Sequence, residues 1–136
     1  MHTSQGTYRI LIVDDSQAVR ESLGWLLRDE SSLTLAGEAA NGADAMRQAV
    51  ELNPDVVILD IELPDTDGFT VTRNLKALPK PPLVVLLSIH HDALSKRRGM
   101  EAGSDAFVEK GLGWPRLLAV LKKVLADSGH GFQQES

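Results

Sequence analysis

Asp14, Asp15, Asp60, Ser88 and Lys110 share one context: each stands at or just beyond the end of a short run with strand character, where chain enters a loop. Singly, each has an ordinary explanation. Asp14, Asp15 and Ser16 precede a helical stretch, where such side chains cap free amides. Asp60 follows VVIL and ends a strand, Ser88 is a strand-end hydroxyl, and Lys110 is a solvated charge. Brought to one rim they acquire a chemistry. Two carboxylates about 5 Å apart repel by roughly 3 kcal/mol at an effective dielectric near 20. Three of them therefore need a compensating cation, or some lose their charge. A hard divalent ion meets that need, and magnesium takes one or two carboxylates, several waters and a substrate phosphate. One carboxylate then acts as nucleophile toward phosphorus, while the ion and the Lys110 ammonium stabilise the equatorial oxygens during in-line transfer. With no base or arginine finger in evidence, such a site suits acceptance of a phosphoryl group from an activated donor.

The elements that would bring these residues together are legible as five apolar runs, each followed by apolar residues at helical spacing. The runs are Arg9 to Asp14, Leu33 to Glu38, Asp55 to Asp60, Leu83 to Ser88 and Asp105 to Glu109. The first, third and fourth are almost continuously apolar, as a strand covered on both faces requires. Val19, Leu23, Leu26 and Leu27 line one helical face, and Ala45, Met46, Ala49, Val50 and Leu52 a second. Phe69, Val71, Leu75 and Leu78 line a third. The segment 91–102 is weaker, with Ala93, Leu94 and Met100 around Lys96-Arg97-Arg98. A last helix starts at Trp114-Pro115, where proline is tolerated, and continues through Leu117, Leu118, Val120, Leu121, Val124 and Leu125. Asn41-Gly42, Asn53-Pro54, Pro79 to Pro82 and Gly103 punctuate the units. Strands alternating with helices imply α/β architecture: a doubly wound, five-stranded parallel sheet with right-handed crossovers. In such sheets ligands bind beyond the carboxyl ends of the strands, where all five residues fall.

Composition narrows the function classes. A chain of 136 residues has room for one core, at roughly 100–200 residues per domain. The expected division is a tail at 1–8, one folded unit at 9–126 and a polar, disordered tail at 127–136. A net charge of −5 opposes broad attachment to nucleic acid or anionic lipid. The absence of cysteine removes disulfides, thiolate metal sites and thiol nucleophiles. No apolar run approaches the roughly 18 residues of a membrane span, and the first residues are polar, so a cytoplasmic location is expected.

At this point the sequence closely resembles the receiver domain of two-component response regulators. The matching motifs are LIVDDS at 11–16, VVILDIELPDTDGF at 56–69, the serine closing VVLLS at 84–88, and FVEK at 107–110. LAGEAANG at 35–42 resembles the branch that usually carries a LuxR-type DNA-binding domain, which is missing from this sequence. The resemblance implies a flavodoxin-like sheet of strand order 2-1-3-4-5. It makes Asp60 the phospho-acceptor. Mg2+ would be held by Asp15 directly, with Asp14, Asp60 and the backbone carbonyl of Glu62. Ser88 would be the switch hydroxyl, Lys110 the lysine paired with the phosphoryl group, and Phe107 the aromatic switch residue, here lacking a hydroxyl. The implied donor is a histidine kinase or histidine phosphotransfer protein. The implied output partner is a protein docking on the fourth helix, fifth strand and fifth helix.

Two departures stand out. Many receivers have a cis proline after the lysine, whereas Gly111 follows Lys110; a cis bond to a non-proline residue costs about 2.5–4 kcal/mol, leaving that peptide's isomer open. Ile89 is bulky where many receivers are small beside the switch hydroxyl, which would narrow donor access. Glu62 and His90, each two residues beyond an active-site member, are candidates to flank the line of water attack and set the phosphoryl lifetime.

Rival readings fit less well. A haloacid-dehalogenase-type phosphatase has Asp-x-Asp on its first strand, whereas this acid pair is adjacent. A flavin carrier needs a hydroxyl-rich first loop, whereas Asp14-Asp15-Ser16-Gln17 is acidic. The serious alternative is a non-phosphorylated, receiver-like interaction scaffold, against which the complete residue set argues. His90-His91-Asp92 reads as solvated rather than as a metal site, and Lys96-Arg97-Arg98 as an exposed helix face or protein interface rather than a DNA contact.

Overall fold

The computed structural model describes residues 7–89, 92–110 and 114–128. In chain order the elements are β1 (Tyr8–Val13), α1 (Gln17–Arg28), β2 (Leu33–Ala39), α2 (Gly42–Leu52), β3 (Val56–Asp60), α3 (Gly68–Lys76), β4 (Leu83–Ser88), α4 (Ala93–Ala102), β5 (Ala106–Glu109) and α5 (Trp114–Asp127). The strands form one parallel sheet of order β2-β1-β3-β4-β5, as expected. Boundaries shift slightly. Tyr8, expected in the tail, is buried in β1, and β1 ends at Val13, leaving Asp14 as the first loop residue. Asp127 closes α5 instead of opening the tail, and residues 129–136 lie outside the described residues.

The two-residue period of a strand divides the core. Ile10, Ile12, Ile58, Val85, Leu87 and Val108 pack with Leu23 and Leu27 of α1 and with Leu117, Leu121 and Leu125 of α5. Their neighbours Leu11, Val13, Val57, Leu59, Val84 and Leu86 pack with α2, α3 and α4 on the opposite face. Every residue of β3 is buried, which accounts for its unbroken apolar run. Removing one of these leucines to alanine would cost about 2–5 kcal/mol.

Helix starts follow from side-chain capping. Ser16, Asn41, Asp67 and Asp92 each accept from the backbone N–H three residues on, opening α1, α2, α3 and α4. The weak periodicity of α4 also has a physical reason. That weak periodicity leaves Met100 a candidate for exposure, and it is 74% exposed; Leu94 is 61% exposed, and the buried residues are Gly99 and Ala102. A Cβ on Gly99 would stand 3.0 Å from Leu86 and 3.4 Å from Phe107. The helix rests on the sheet through its smallest residues, which a search for large apolar side chains misses. Val50, expected on the inner face of α2, is 60% exposed.

Candidate functional site

β1, β3, β4 and β5 run parallel, so their carboxyl ends share one edge. Asp14 and Asp15 follow β1, Asp60 closes β3, Ser88 closes β4 and Lys110 follows β5. Register fixes their relative height: Asp60 lies opposite Leu87, and Ser88, one residue further out, lies opposite Glu109. Asp14, Asp60 and Ser88 are buried, whereas Asp15 is exposed at the rim.

The three carboxylates each offer an oxygen, and these atoms lie within 4.8 Å of one another. Lys110 bridges the two buried ones, its Nζ lying 2.8 Å from Asp14 Oδ2 and 3.2 Å from Asp60 Oδ2. The first contact is an ion pair without hydrogen-bond alignment: Asp14 Oδ2 is the one buried side-chain oxygen among the described residues left without a hydrogen-bond partner. Burial raises the Asp60 carboxyl above its ordinary value and Asp14 pushes the same way, against Lys110 and the Glu62 N–H. For Lys110, burial acts to lower the ammonium, but Asp14 and Asp60 outweigh it and raise the group. The ammonium therefore stays charged. An all-oxygen donor set, an excess of negative charge and a buried oxygen lacking a donor suit a hard cation.

Local structure holds the pocket in shape. Asp14 accepts from Ser16 N through Oδ1 at 2.9 Å, and Ser16 in turn caps α1, so Asp14 shapes the turn instead of capping the helix itself. Arg20 donates from Nη1 to the Asp14 carbonyl at 2.7 Å while its Nε pairs with Glu38 at 3.1 Å, tying the β1–α1 loop to the end of β2. Glu62 N donates to Asp60 Oδ1 at 3.2 Å. A Cβ on Gly68 would meet the Asp60 carbonyl oxygen at 2.6 Å, so only glycine permits α3 to start this close to the acid. Phe107 is half-buried on the α4 side of the sheet, and Ile89, beside Ser88, is 62% exposed.

All five residues singled out from the sequence thus fall on one rim, with Asp14, Asp15 and Asp60 in one cluster and Lys110 between the two buried acids. His90, His91 and Gly111 lie outside the described residues, and with them the Glu62–His90 pair and the Lys110–Gly111 peptide. Arg20, Asp65 and Gly68 were not foreseen. Gly68 had a local signal, the Asp-Gly pair that caps and opens α3; Arg20 and Asp65 act across chain separations of up to 18 and 23 residues, where local spacing carries no information.

Comparison with known proteins agrees with this geometry. Residues 10–122 match the response regulator receiver domain family. The chain is 42% identical over 104 residues to protein-glutamate methylesterase/protein-glutamine glutaminase 6 of Anaeromyxobacter dehalogenans, covering 76% of this chain and 29% of that protein. It is 31% identical over 118 residues to response regulator GacA of Pseudomonas aeruginosa, covering 87% and 55%. It therefore spans less than three-fifths of the length of either relative. A LuxR-family two-component response regulator from Aurantimonas sp. superposes with a TM-score of 0.84 at 28% identity, covering 89% of this chain and 86% of that one. Among the described residues no helix is long and apolar enough to cross a membrane. The part these proteins share with it is the receiver, and the chain belongs to the response regulator receiver domains, the phospho-accepting modules of two-component signalling.

Proposed function

We propose that Asp60 is the residue that accepts the phosphoryl group, from a histidine kinase or histidine phosphotransfer protein, and that Asp14, Asp15, Asp60 and the Glu62 carbonyl hold Mg2+ beside it. The observation that carries this reading is the Lys110 ammonium lying between Asp60 and Asp14, with the three acids gathered around one point. Of those acids, Asp60 alone ends a strand flanked on both sides by neighbouring strands that supply Asp14 and Ser88.

The chemistry asks little of the protein beyond placement. An Asp60 carboxylate oxygen forms a bond to phosphorus as the donor's bond to phosphorus breaks and its electron pair leaves with the donor. Lys110 stays charged next to that oxygen and balances the negative charge gathered on the phosphoryl oxygens. Mg2+, when bound, adds Lewis-acid charge stabilisation at the same oxygens. Ser88 then turns its hydroxyl to the new acceptors, and Phe107 fills the space released. The face of α4, β5 and α5 carries the change to a protein partner. Met100 is exposed there beside Phe107, Arg97 is exposed on the same helix while Arg98 lies over the Phe69 ring of α3 at 4.5 Å, and α4 is held to the sheet mainly through Gly99 and Ala102. Direct DNA binding is not part of this reading, because a chain of net charge −5 lacks the phosphate-neutralising excess duplex binding needs. The cytoplasm is the compartment it implies.

The test is treatment with a small acyl phosphate, with and without Mg2+, followed by intact-mass measurement. One phosphoryl group should appear only with the metal, and Asp60→Asn should abolish it. Stoichiometric labelling of Asp60→Asn at another residue would overturn the assignment, and a wild-type chain that takes no label under any condition would favour the interaction scaffold.

A further inference from the structure

The β3–α3 loop, residues 61–67, is fastened at both ends. At its far end Gly68 N donates to the Ile61 carbonyl at 2.6 Å, and Glu62 pairs with Asp67 as an antiparallel bridge, so the loop closes on itself directly beyond Asp60. At its crest Asp65 leaves its own element altogether. Its Oδ1 accepts from Gly42 N at 2.8 Å and its Oδ2 from Ala43 N at 2.9 Å, the first two amides of α2. The next amide, Asp44 N, is taken by Asn41 Oδ1 at 2.8 Å. Two side chains therefore share the end of one helix: Asn41 caps it from within, and Asp65 grips it from the loop that follows the acceptor. The approach is close, since a Cβ on Gly42 would stand 2.4 Å from Thr66 Cγ2 and 3.3 Å from Asp65 Oδ1. Those two amides hold the Asp65 carboxyl below the usual carboxylate range, so the grip is charge-assisted at neutral pH.

We infer that Asp65 is a positioning residue for the phospho-acceptor site: by clamping the β3–α3 loop to the N-terminus of α2 it fixes the backbone at Glu62, and through it the cation pocket beside Asp60. The inference rests on the reading of Asp60 as acceptor and of the acid cluster as a Mg2+ site. Glu62 is the point of transmission. Its N–H already orients Asp60 Oδ1, and its carbonyl belongs to the same short ring of backbone that Asp65 anchors. A loop freed at its crest keeps the Gly68 closure but lets the segment 62–66 swing, and a ligand on a swinging backbone binds a cation more weakly.

Asn41 supplies the control, because Asn41→Ala removes a cap from the same helix end without touching the loop. Asp65→Ala, Asp65→Asn and Asn41→Ala are made in the full chain. Three quantities are read: amide hydrogen exchange across 61–67 without metal, Mg2+ affinity by calorimetry, and the rate of labelling by acetyl phosphate. Asp65→Ala should speed exchange at Glu62 and its loop neighbours and weaken Mg2+ binding about tenfold, the low end of the loss when outer support of a metal ligand is removed. Asp65→Asn, which retains one good acceptor, should fall between it and wild type. Asn41→Ala should lower the melting temperature comparably yet leave loop exchange and Mg2+ affinity within about twofold of wild type. Equal effects of Asp65→Ala and Asn41→Ala on affinity would reduce Asp65 to an ordinary helix cap and overturn the inference. Unchanged loop exchange in Asp65→Ala would overturn it without reference to any metal, whereas a wild-type chain that binds neither Mg2+ nor phosphoryl would fail the reading beneath it.

Discussion

Replacing Asp60 by asparagine should make the metal-free chain more stable, although it removes a partner of Lys110. At an effective dielectric near 20, the Lys110 ammonium 3.2 Å from Asp60 contributes about 5 kcal/mol of attraction. Asp14, no more than 4.8 Å away, returns about 3.5 kcal/mol of repulsion. Burying the Asp60 charge costs several kcal/mol more. The unfavourable side wins, in agreement with the raised Asp60 carboxyl, whose first cause is burial and second is Asp14. Asparagine keeps the shape and still accepts from Glu62 N, so the expected gain is about 1–2 kcal/mol, or about 3–8 °C in melting temperature for a domain of this size. The pH dependence has a definite sign. A carboxyl raised in the folded state favours folding below its unfolded value of 3.8, and that contribution is lost as pH rises through the folded value. The advantage of asparagine should therefore be full at neutral pH, shrink on acidification and vanish near pH 3.8. Thermal unfolding followed by circular dichroism from pH 4 to 8, in chelator, measures it. Added Mg2+ should stabilise wild type more than the variant. A variant less stable than wild type at pH 7, or a gain independent of pH, would refute the charge balance drawn here.

Three further outcomes follow from neighbouring residues. Lys110→Ala leaves Asp14 and Asp60 buried without their cation and should cost about 3–5 kcal/mol in metal-free unfolding experiments, with part of the loss restored by Mg2+. Gly68→Ala drives a methyl into the Asp60 carbonyl; unfolding in urea should show a loss of about 1–3 kcal/mol, and labelling by acyl phosphate should slow. Asp65, whose carboxyl is lowered by the Gly42 and Ala43 amides, supports the fold above pH 3.8 and loses that support as pH falls through its lower folded value. Acid titration by NMR should show the Gly42 and Ala43 amide shifts moving together with the Asp65 carboxyl, and Asp65→Asn should remove that step.

How much of this was legible in the sequence depends on the range over which each residue acts. β3 and β4 announce themselves because burial on both faces demands continuous apolar runs, and a parallel sheet then delivers Asp14, Asp60, Ser88 and Lys110 to one edge without further information. Of the helix caps, Ser16 was read, and Asp67, which also acts only three positions away, was not. Two kinds of information were not legible. α4 buries glycine and alanine, so its contact stripe carries no hydrophobic signal, and its larger apolar residues Leu94 and Met100 face solvent. Arg20 and Asp65 hold the pocket's loops to elements distant in the chain, and nothing near either residue marks its partner.

The pocket's cost in stability is also what distinguishes it from a well-made core. Among the described residues the buried polar or charged side chains are Asp14, Asp60, Thr72 and Ser88. Thr72 is accounted for by its own helix, its hydroxyl donating to the Gly68 carbonyl at 2.7 Å. The other three stand at one rim, where two carboxylates share a single ammonium and one oxygen lacks a donor. Hydrophobic residues of similar volume would hold that corner more firmly. Departures from the rules of packing concentrate where function requires them. Here the departure has a chemical direction: the unrelieved charge is negative, gathered within a few ångströms, and already organised around a cation. A divalent ion relieves it, and a phosphoryl group, which brings further negative charge, needs that ion and the Lys110 ammonium beside it. The same imbalance that makes Asp60→Asn the more stable chain therefore favours cation binding in the wild-type pocket. On the proposed reading of Asp60 as acceptor, neutralising that acid stabilises the fold and removes the reaction with the strain.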